Sequence, residues 1–343
     1  MRKHLHFHGK YMGDMRSVFH IVQELGEHDI SYRLQGLGEE GSPDGADYIL
    51  TSHKMPKEMC GRNVHLRHGC GLLPVIPDRE ASRKEFMFDY AKFHAIRVLN
   101  EEERELLVQY GYPKERTMLM GMPFSIDLMA HVDANERVRF LTMKGQDPSK
   151  STVLYAPSWG QGEERGFFVD WFQDGKEEAR VRKFCEYVCR DLKCNLIVRM
   201  HERHRYSEDW LAKYDAIFRL FRVYAIYLDD DPDNLPYLRH SDVMVGDLSA
   251  INVYYYVMDK PVVHVGVRPF SKKINKGCGG MSYTGRAGHV AGHFDGILDS
   301  IADSLENPMR FSPQRKAVVE KGFSCIGEES RQAVIREVRR ICV

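Results

Sequence analysis

Short apolar runs alternate along almost the whole chain with stretches in which apolar residues return every three or four positions. Runs too short for a helix mark buried strands, and the 3.6-residue period marks helices that cover them, so the pattern predicts parallel βαβ units. His4 to His8 reads as a first strand closed by Gly9. Met15, Val18, Phe19 and Val22, at i, i+3, i+4 and i+7, make one face of the helix that follows. Tyr48-Ile49-Leu50, Val64-His65-Leu66, Ala95 to Leu99 and Met118-Leu119-Met120 continue as strands. Asn100 with Glu103 has the spacing of a capping box at the start of a helix.

From Lys144 to Lys150 the chain turns polar and the periodicity lapses, which places a domain boundary there. The alternation restarts with the strand Val153-Leu154-Tyr155-Ala156 and a helix presenting Val181, Phe184, Cys185, Val188 and Leu192. Strands over Leu196 to Met200, Ala225 to Leu228 and Val243 to Val245 follow, then an apolar helix from Ile251 to Met258 and a strand at Val262 to Val265. Val334, Val338, Ile341 and Cys342 stand at helical spacing near the end. The expected organisation is a Rossmann-like domain over 1–140, a second over 150–322 and a closing helix over 323–343. It is an α/β protein with two parallel sheets facing a central cleft.

Length agrees: 343 residues suggest two domains at about 150 residues each. Lys plus Arg and Asp plus Glu balance at 49 each, which lacks the basic excess of a general nucleic-acid binder. No apolar run reaches the roughly 20 residues that span a bilayer. The opening Met1-Arg2-Lys3-His4-Leu5-His6-Phe7-His8 has no apolar signal core, so the expected compartment is the cytoplasm. Eight cysteines without a CxxC pair read as reduced thiols.

Ligands of open parallel sheets collect outside the carboxyl ends of the strands, so polar residues just past those ends are the candidates. The run Val243-Met244-Val245-Gly246-Asp247-Leu248-Ser249-Ala250 leads from strand to helix start, where free amides and the helix dipole hold anions. Asp247 or Ser249 would serve equally as a plain N-cap. Leu66-Arg67-His68-Gly69-Cys70-Gly71 offers a histidine base beside glycines that admit a substrate, or an ordinary loop histidine. Arg199-Met200-His201-Glu202-Arg203-His204-Arg205 is a cationic cluster suited to phosphate, or a solvated loop. Tyr155-Ala156-Pro157-Ser158-Trp159-Gly160-Gln161-Gly162 is a fourth strand exit, a polar loop that faces the cleft or an ordinary loop.

These four places, in this order, resemble the CDP-glycerol glycerophosphotransferases, the teichoic-acid polymerases and primases. His68-Gly69 is similar to the family's Trp-His-Gly-Thr, and Gly121-Met122-Pro123-Phe124-Ser125-Ile126-Asp127 to its Gly-Tyr-Pro-Arg-Asn-Asp. Leu154-Tyr155-Ala156-Pro157-Ser158-Trp159 resembles its Leu-Tyr-Ala-Pro-Thr-Trp, and Arg199-Met200-His201 its strand-end histidine. Ser241 to Ala250, with Lys260-Pro261-Val262-Val263, follows its Ser-Asp-Val-Leu-Ile-Thr-Asp-Tyr-Ser-Ser and Lys-Arg-Pro. The resemblance implies a GT-B fold and a transferase that moves glycerol phosphate from CDP-glycerol, or a related nucleotide donor, to a hydroxyl acceptor in surface-polymer synthesis. It implies His68 as base, His201 as stabiliser of phosphate charge, and Gly69, Ser158, Arg199, Asp247, Ser249 and Ala250 around the donor. It departs from the family at Ala250, where a second serine is usual, and at Cys70-Gly71, where Thr-Pro is usual. A lipid-linked or polymeric acceptor, and with it peripheral contact with the inner face of a membrane, goes with this reading. Two other readings stand beside it: a nucleotide-sugar glycosyltransferase or UDP-sugar 2-epimerase of the same fold, and a non-catalytic nucleotide-binding relative.

No cofactor and no metal are expected. Asp229-Asp230-Asp231 has a DxD pattern, but Asp231-Pro232 reads better as a helix N-cap and first residue. Cys185, Cys189 and Cys194 fall on or beside an apolar helix face, which is core packing. His289 and His293 sit among Gly285, Gly288 and Gly292, which suggests a mobile loop near the cleft, and His4, His6 and His8 suggest an edge or cleft-lining strand.

Overall fold

The computed structural model describes residues 2–9, 13–34, 38–40, 46–51, 62–66, 93–156, 177–199, 225–227, 233–246, 250–265, 287–291 and 293–342. The chain divides into two compact units, one taking residues up to Ala130 and again from Glu320, the other running from His131 to Val319 apart from a short excursion.

The first unit holds β1 (His4–Gly9), α1 (Gly13–Leu25), β2 (Asp29–Leu34), β3 (Gly38–Glu40), β4 (Tyr48–Thr51), β5 (Arg62–His65), β6 (Ala95–Val98), α2 (Glu101–Gln109), β7 (Thr117–Leu119) and α3 (Ser125–Met129). Its sheet runs β3-β2-β1-β4-β5-β6-β7, parallel throughout except for β3. Along β6, Ala95 turns to one face of the sheet, while Ile96 and Val98 turn to the other and pack with Leu107 of α2. Asn100 caps α2 as its spacing predicts: its Oδ1 accepts the Glu103 amide at 2.9 Å, and the Glu103 carboxylate accepts the Leu99 amide at 2.6 Å.

The second unit contains α4 (Ala134–Met143), β8 (Thr152–Tyr155), α5 (Glu177–Glu186), β9 (Asn195–Val198), β10 (Ala225–Tyr227), α6 (Leu235–His240), β11 (Val243–Gly246), α7 (Ala250–Val257), β12 (Val262–Val265), β13 (His289–Ala291), α8 (Phe294–Glu306) and most of α9 (Ser312–Gly322), whose last three residues belong to the first unit. Every described strand pair here is parallel, in the order β10-β9-β8-β11-β12-β13. Val153, Tyr155, Leu196, Val198, Val243 and Val245 meet α5 and α8 on one face. The intervening Leu154, Ile197, Met244 and Val262 are also buried, so both faces of the sheet are covered, as a parallel sheet requires.

The last helix, α10 (Gly327–Cys342), returns to the first unit, where Val334, Val338 and Cys342 join the core of β1, β4 and α1. Ser330 donates to the Met120 carbonyl at 2.6 Å, and Met122 N–H donates to the Cys325 carbonyl at 3.2 Å. Gly121 has φ +58, and a Cβ there would lie 2.1 Å from that same carbonyl, so glycine is required by both backbone and space.

Candidate active site

Counted within its own unit, the second sheet has strand order 3-2-1-4-5-6, the order of dinucleotide-binding folds, whose ligands lie where the order reverses. That point lies between β8 and β11. Tyr155 is in register with both Val198 of β9 and Val245 of β11. Beyond the last pairs, Arg199 N–H donates to the Tyr155 carbonyl at 2.8 Å and Ala156 N–H to the Val245 carbonyl at 2.9 Å. Three strand exits are therefore level, and at about 4.8 Å per strand they span roughly 10 Å of one edge. The segments that begin at Arg199, Ala156 and Gly246 leave from this edge, though they are far apart in sequence. Ser158, His201, Asp247 and Ser249 lie outside the described residues; the strands leading into them do not.

Gly246 sits where backbone must pass closely: a Cβ there would stand 3.2 Å from both the Ala156 carbonyl oxygen and Asn252 Oδ1. Ala250 opens α7. Two residues on, the fully buried Asn252 lies with its Nδ2 3.4 Å from Nδ1 of His264, whose Nε2 is 2.7 Å from the Tyr256 hydroxyl. With Asn252 donating to Nδ1, Nε2 carries the proton and donates to Tyr256. One histidine of β12 thus fastens two successive turns of the helix whose start is the candidate anion site. Arg199 lies with its guanidinium carbon 4.5 Å from the ring centroid of the buried Tyr237, a cation–π contact that fixes the charge at the strand exit.

The amino end of β11 has a different content. Asp242 Oδ2 accepts Thr152 N–H at 2.7 Å and Arg137 Nη2 at 2.9 Å, tying the starts of β11 and β8 together. Ser241 bonds to the Tyr237 carbonyl and the Tyr255 hydroxyl. Lys260 Nζ donates to the carbonyls of Leu238, Arg239 and Ser241 at 3.1, 2.6 and 2.8 Å, closing the carboxyl end of α6. Burial draws this ammonium down to about 8, and Asp242 acts against the shift. Half of the resembling ten-residue stretch, with the Lys260-Pro261 after it, is therefore scaffold.

In the first unit His68 and Gly69 lie outside the described residues, past the end of β5. The last described residue before them is Leu66, whose carbonyl accepts Arg97 Nη1 at 3.2 Å. The same fully buried arginine, in β6, donates through Nε and Nη2 to the Gly121 carbonyl at 3.2 and 2.8 Å. Nothing in the sequence pattern sets Arg97 apart from any charged residue that interrupts a strand. The stretch Gly121 to Asp127 serves as an anchor: Ser125 Oγ accepts Gly327 N–H at 2.7 Å, and Asp127 accepts the Ser17 hydroxyl at 2.6 Å.

Several sequence expectations need correction. His289 and His293 are not in a mobile loop. His289 lies in β13, its Nε2 2.5 Å from Asp303, and His293 N-caps α8 by accepting Gly296 N–H at 3.0 Å. Strand β1 is not an edge, since it pairs with both β2 and β4. On it, His4 Nε2 and His6 Nδ1 both reach Ser31 Oγ, and burial lowers the pKa of His6 to about 4. The DxD residues Asp229 to Asp231 and Pro232 lie outside the described residues. The helix after them begins at Leu235, with the Asp233 carboxylate accepting its amide at 2.9 Å. Cys185, Cys189 and Cys194 are buried in the second core as expected, and burial pushes the thiols of Cys189 and Cys194 up to about 12 and about 11.

Comparison with solved structures finds the same two-sheet GT-B architecture in the wall teichoic acid polymerase TagF, at TM-score 0.72 and 14% identity over 98% of this chain and 88% of that one. The MnaA–UDP structure from S. aureus matches at TM-score 0.59 and 13% identity, over 96% of this chain and 94% of that one. UDP-GlcNAc 2-epimerase from Neisseria meningitidis matches at 0.57 and 12%, over 98% of this chain and all of that one. No curated protein sequence matches. The family model for CDP-glycerol:poly(glycerophosphate) glycerophosphotransferase matches residues 48–340, from β4 to the last turns of α10, and the chain belongs to that family.

Proposed function

We propose that the chain transfers glycerol phosphate from CDP-glycerol to the hydroxyl of a glycerol-phosphate-type or lipid-linked acceptor in teichoic-acid synthesis. The observation that carries this reading is the edge between β8 and β11, where three level strand exits meet the start of a helix fastened from below by His264. The donor's pyrophosphate lies against the first amides of α7, with Ser249 and Asp247 at the turn and Gly246 leaving room for the backbone to approach. Ala250 keeps its amide but supplies no hydroxyl, so this site holds the pyrophosphate with one side-chain donor fewer than the family's usual pair. Arg199 stands at the same edge and, with His201, balances the phosphate charge, while the Ser158 hydroxyl donates a hydrogen bond to the phosphate.

In the reaction the acceptor oxygen bonds to the β-phosphorus of the donor, while the bond from that phosphorus to the bridging oxygen breaks. CMP leaves with the electron pair, and the hydroxyl proton passes to His68, a base whose ordinary pKa lies near neutral pH. The protein's contribution is positioning and charge stabilisation. Two histidines also figure in the solved TagF structures, one set carrying a His-to-Asn change with CDPG soaked in, another a His-to-Ala change. A lipid-linked acceptor would bring the chain to a membrane surface; among the described residues no helix is long and apolar enough to cross one.

The test is product analysis with a panel of CDP- and UDP-linked donors. CMP release from CDP-glycerol, with glycerol phosphate gained by the acceptor, is the expected outcome. UDP release from a nucleotide sugar, or turnover of none of them, would sink the proposal. Replacing His68 with Ala should lower kcat by roughly 10²–10⁴ with donor affinity nearly unchanged, and activity in the native protein should fall as pH drops through one histidine-like ionisation.

A further inference from the structure

We infer that Arg97 is a positioning residue for His68, acting by holding the carbonyls of Leu66 and Gly121, just past the ends of two strands of the first sheet. The inference rests on the reading of His68 as the base. Arg97 belongs to β6, which stands between β5 and β7. Its side chain is fully buried and reaches past both neighbours' ends, to the Leu66 carbonyl after β5 and the Gly121 carbonyl after β7. Leu66 is two residues before His68, and Gly121 opens the stretch whose Ser125 and Asp127 are themselves fixed to Gly327 and Ser17. Leu66, the last residue fixed before His68, is therefore tied to an anchored neighbour through one planar group.

A guanidinium suits this task because its two edges present donors in different directions at fixed angles, whereas an ammonium is a single point. Hydrogen bonds from a charged donor are also stronger than neutral ones. Elsewhere at this edge the strand pairing itself sets the backbone: Leu66 N–H donates to the Thr51 carbonyl at 2.8 Å. Arg97 adds the carbonyl side of the same residue, so both backbone groups of Leu66 are fixed two residues before His68. A base must stand within hydrogen-bond reach of the proton it takes, and a displacement of about 1 Å costs on the order of 10²-fold in rate.

The experiment is a double-mutant cycle read by CMP release from CDP-glycerol, with Arg97→Lys, His68→Ala and the pair. Arg97→Lys keeps charge and bulk. It should lower kcat roughly 10- to 100-fold with donor KM within about twofold, and it should cost nothing further in the His68→Ala background. Additive losses, a donor KM that rises in step with the loss of rate, or an unaffected kcat would each overturn the inference. If His68→Ala alone turns over normally, the base assignment has failed, and hydrogen exchange then judges the clamp by itself. Arg97→Lys should speed exchange in peptides covering 66–71 and 121–124 while leaving β6 and β7 protected, and unchanged exchange there would refute it. Arg97→Gln, which keeps a single donor nitrogen, stands in if the lysine variant does not fold. Should both fail to fold, Arg97 holds the whole unit rather than one loop, and the inference is overturned.

Discussion

The two ends of β11 lie only four residues apart, yet they are built on opposite terms. At the amino end, Ser241, Asp242, Arg137 and Lys260 satisfy one another and the carbonyls around them, so the charges are spent inside the scaffold. At the carboxyl end the fastening is neutral and set back from the edge: Asn252, His264 and Tyr256 hold α7 from beneath. Gly246 keeps the strand exit bare there. Charge used for cohesion thus lies about 13 Å, four strand residues, from the edge proposed to hold the donor. That separation lets one short stretch knit the sheet at one end and keep its charges away from the other.

The separation can be broken from either side. Asp242→Ala should have the largest effect, about 2–3 kcal/mol of stability by denaturant unfolding, because it strips the Thr152 amide and Arg137 of their shared acceptor. The CMP-releasing activity per folded molecule should stay unchanged; a raised donor KM would mean that the two ends are coupled after all. Gly246→Ala should do the reverse. The added Cβ presses on the Ala156 carbonyl and Asn252, so donor KM should rise about tenfold, equivalent to ~1.4 kcal/mol, with a smaller loss of stability than Asp242→Ala causes. An unchanged KM would show that the turn past Gly246 does not hold the donor.

The smallest effect concerns Lys260. Burial holds its folded-state pKa near 8, against an ordinary 10.5, so between those values the unfolded chain binds more protons than the folded one. Stability relative to Lys260→Met should therefore rise with pH above 8 and be flat below it. The slope should stay under ~1.4 kcal/mol per pH unit, the ceiling for one proton, since three carbonyl acceptors favour the charged form. A difference that falls as pH rises from 8 to 9 would show that Lys260 gains, rather than loses, proton affinity on folding.

What could be read from the sequence follows from locality. Continuous apolar runs such as Val243 to Val245 announce inner strands, and Asn100 with Glu103 announces a helix start, because each signal is complete within a few residues. Strand β2 is quieter: Ile30 and Tyr32 alternate with Ser31 and Arg33 and show no apolar run, since only one side of it faces the first core. The spacing of Val334, Val338 and Cys342 shows that α10 has a buried face but not which core receives it. The strand exits beside Ser158, Arg199 and Ser249 were legible as candidates, because polar residues follow strands there. Their alignment was not, since register depends on pairing between distant segments. Arg97 was the least legible: its meaning lies in two carbonyls, and carbonyls leave no mark on a sequence.

The return of α10 to the first unit has a consequence for biosynthesis. The core around β1, β4 and α1 lacks one wall until Val334, Val338 and Cys342 have emerged from the ribosome, some 200 residues after β7. At roughly 5–20 residues per second that is an interval of about 10–40 s. The second unit, although later in the chain, is therefore the first whose described elements are all available to fold. For that interval the nascent first unit presents the apolar side of its sheet to solvent, which makes it the natural client of whatever chaperone meets the emerging chain.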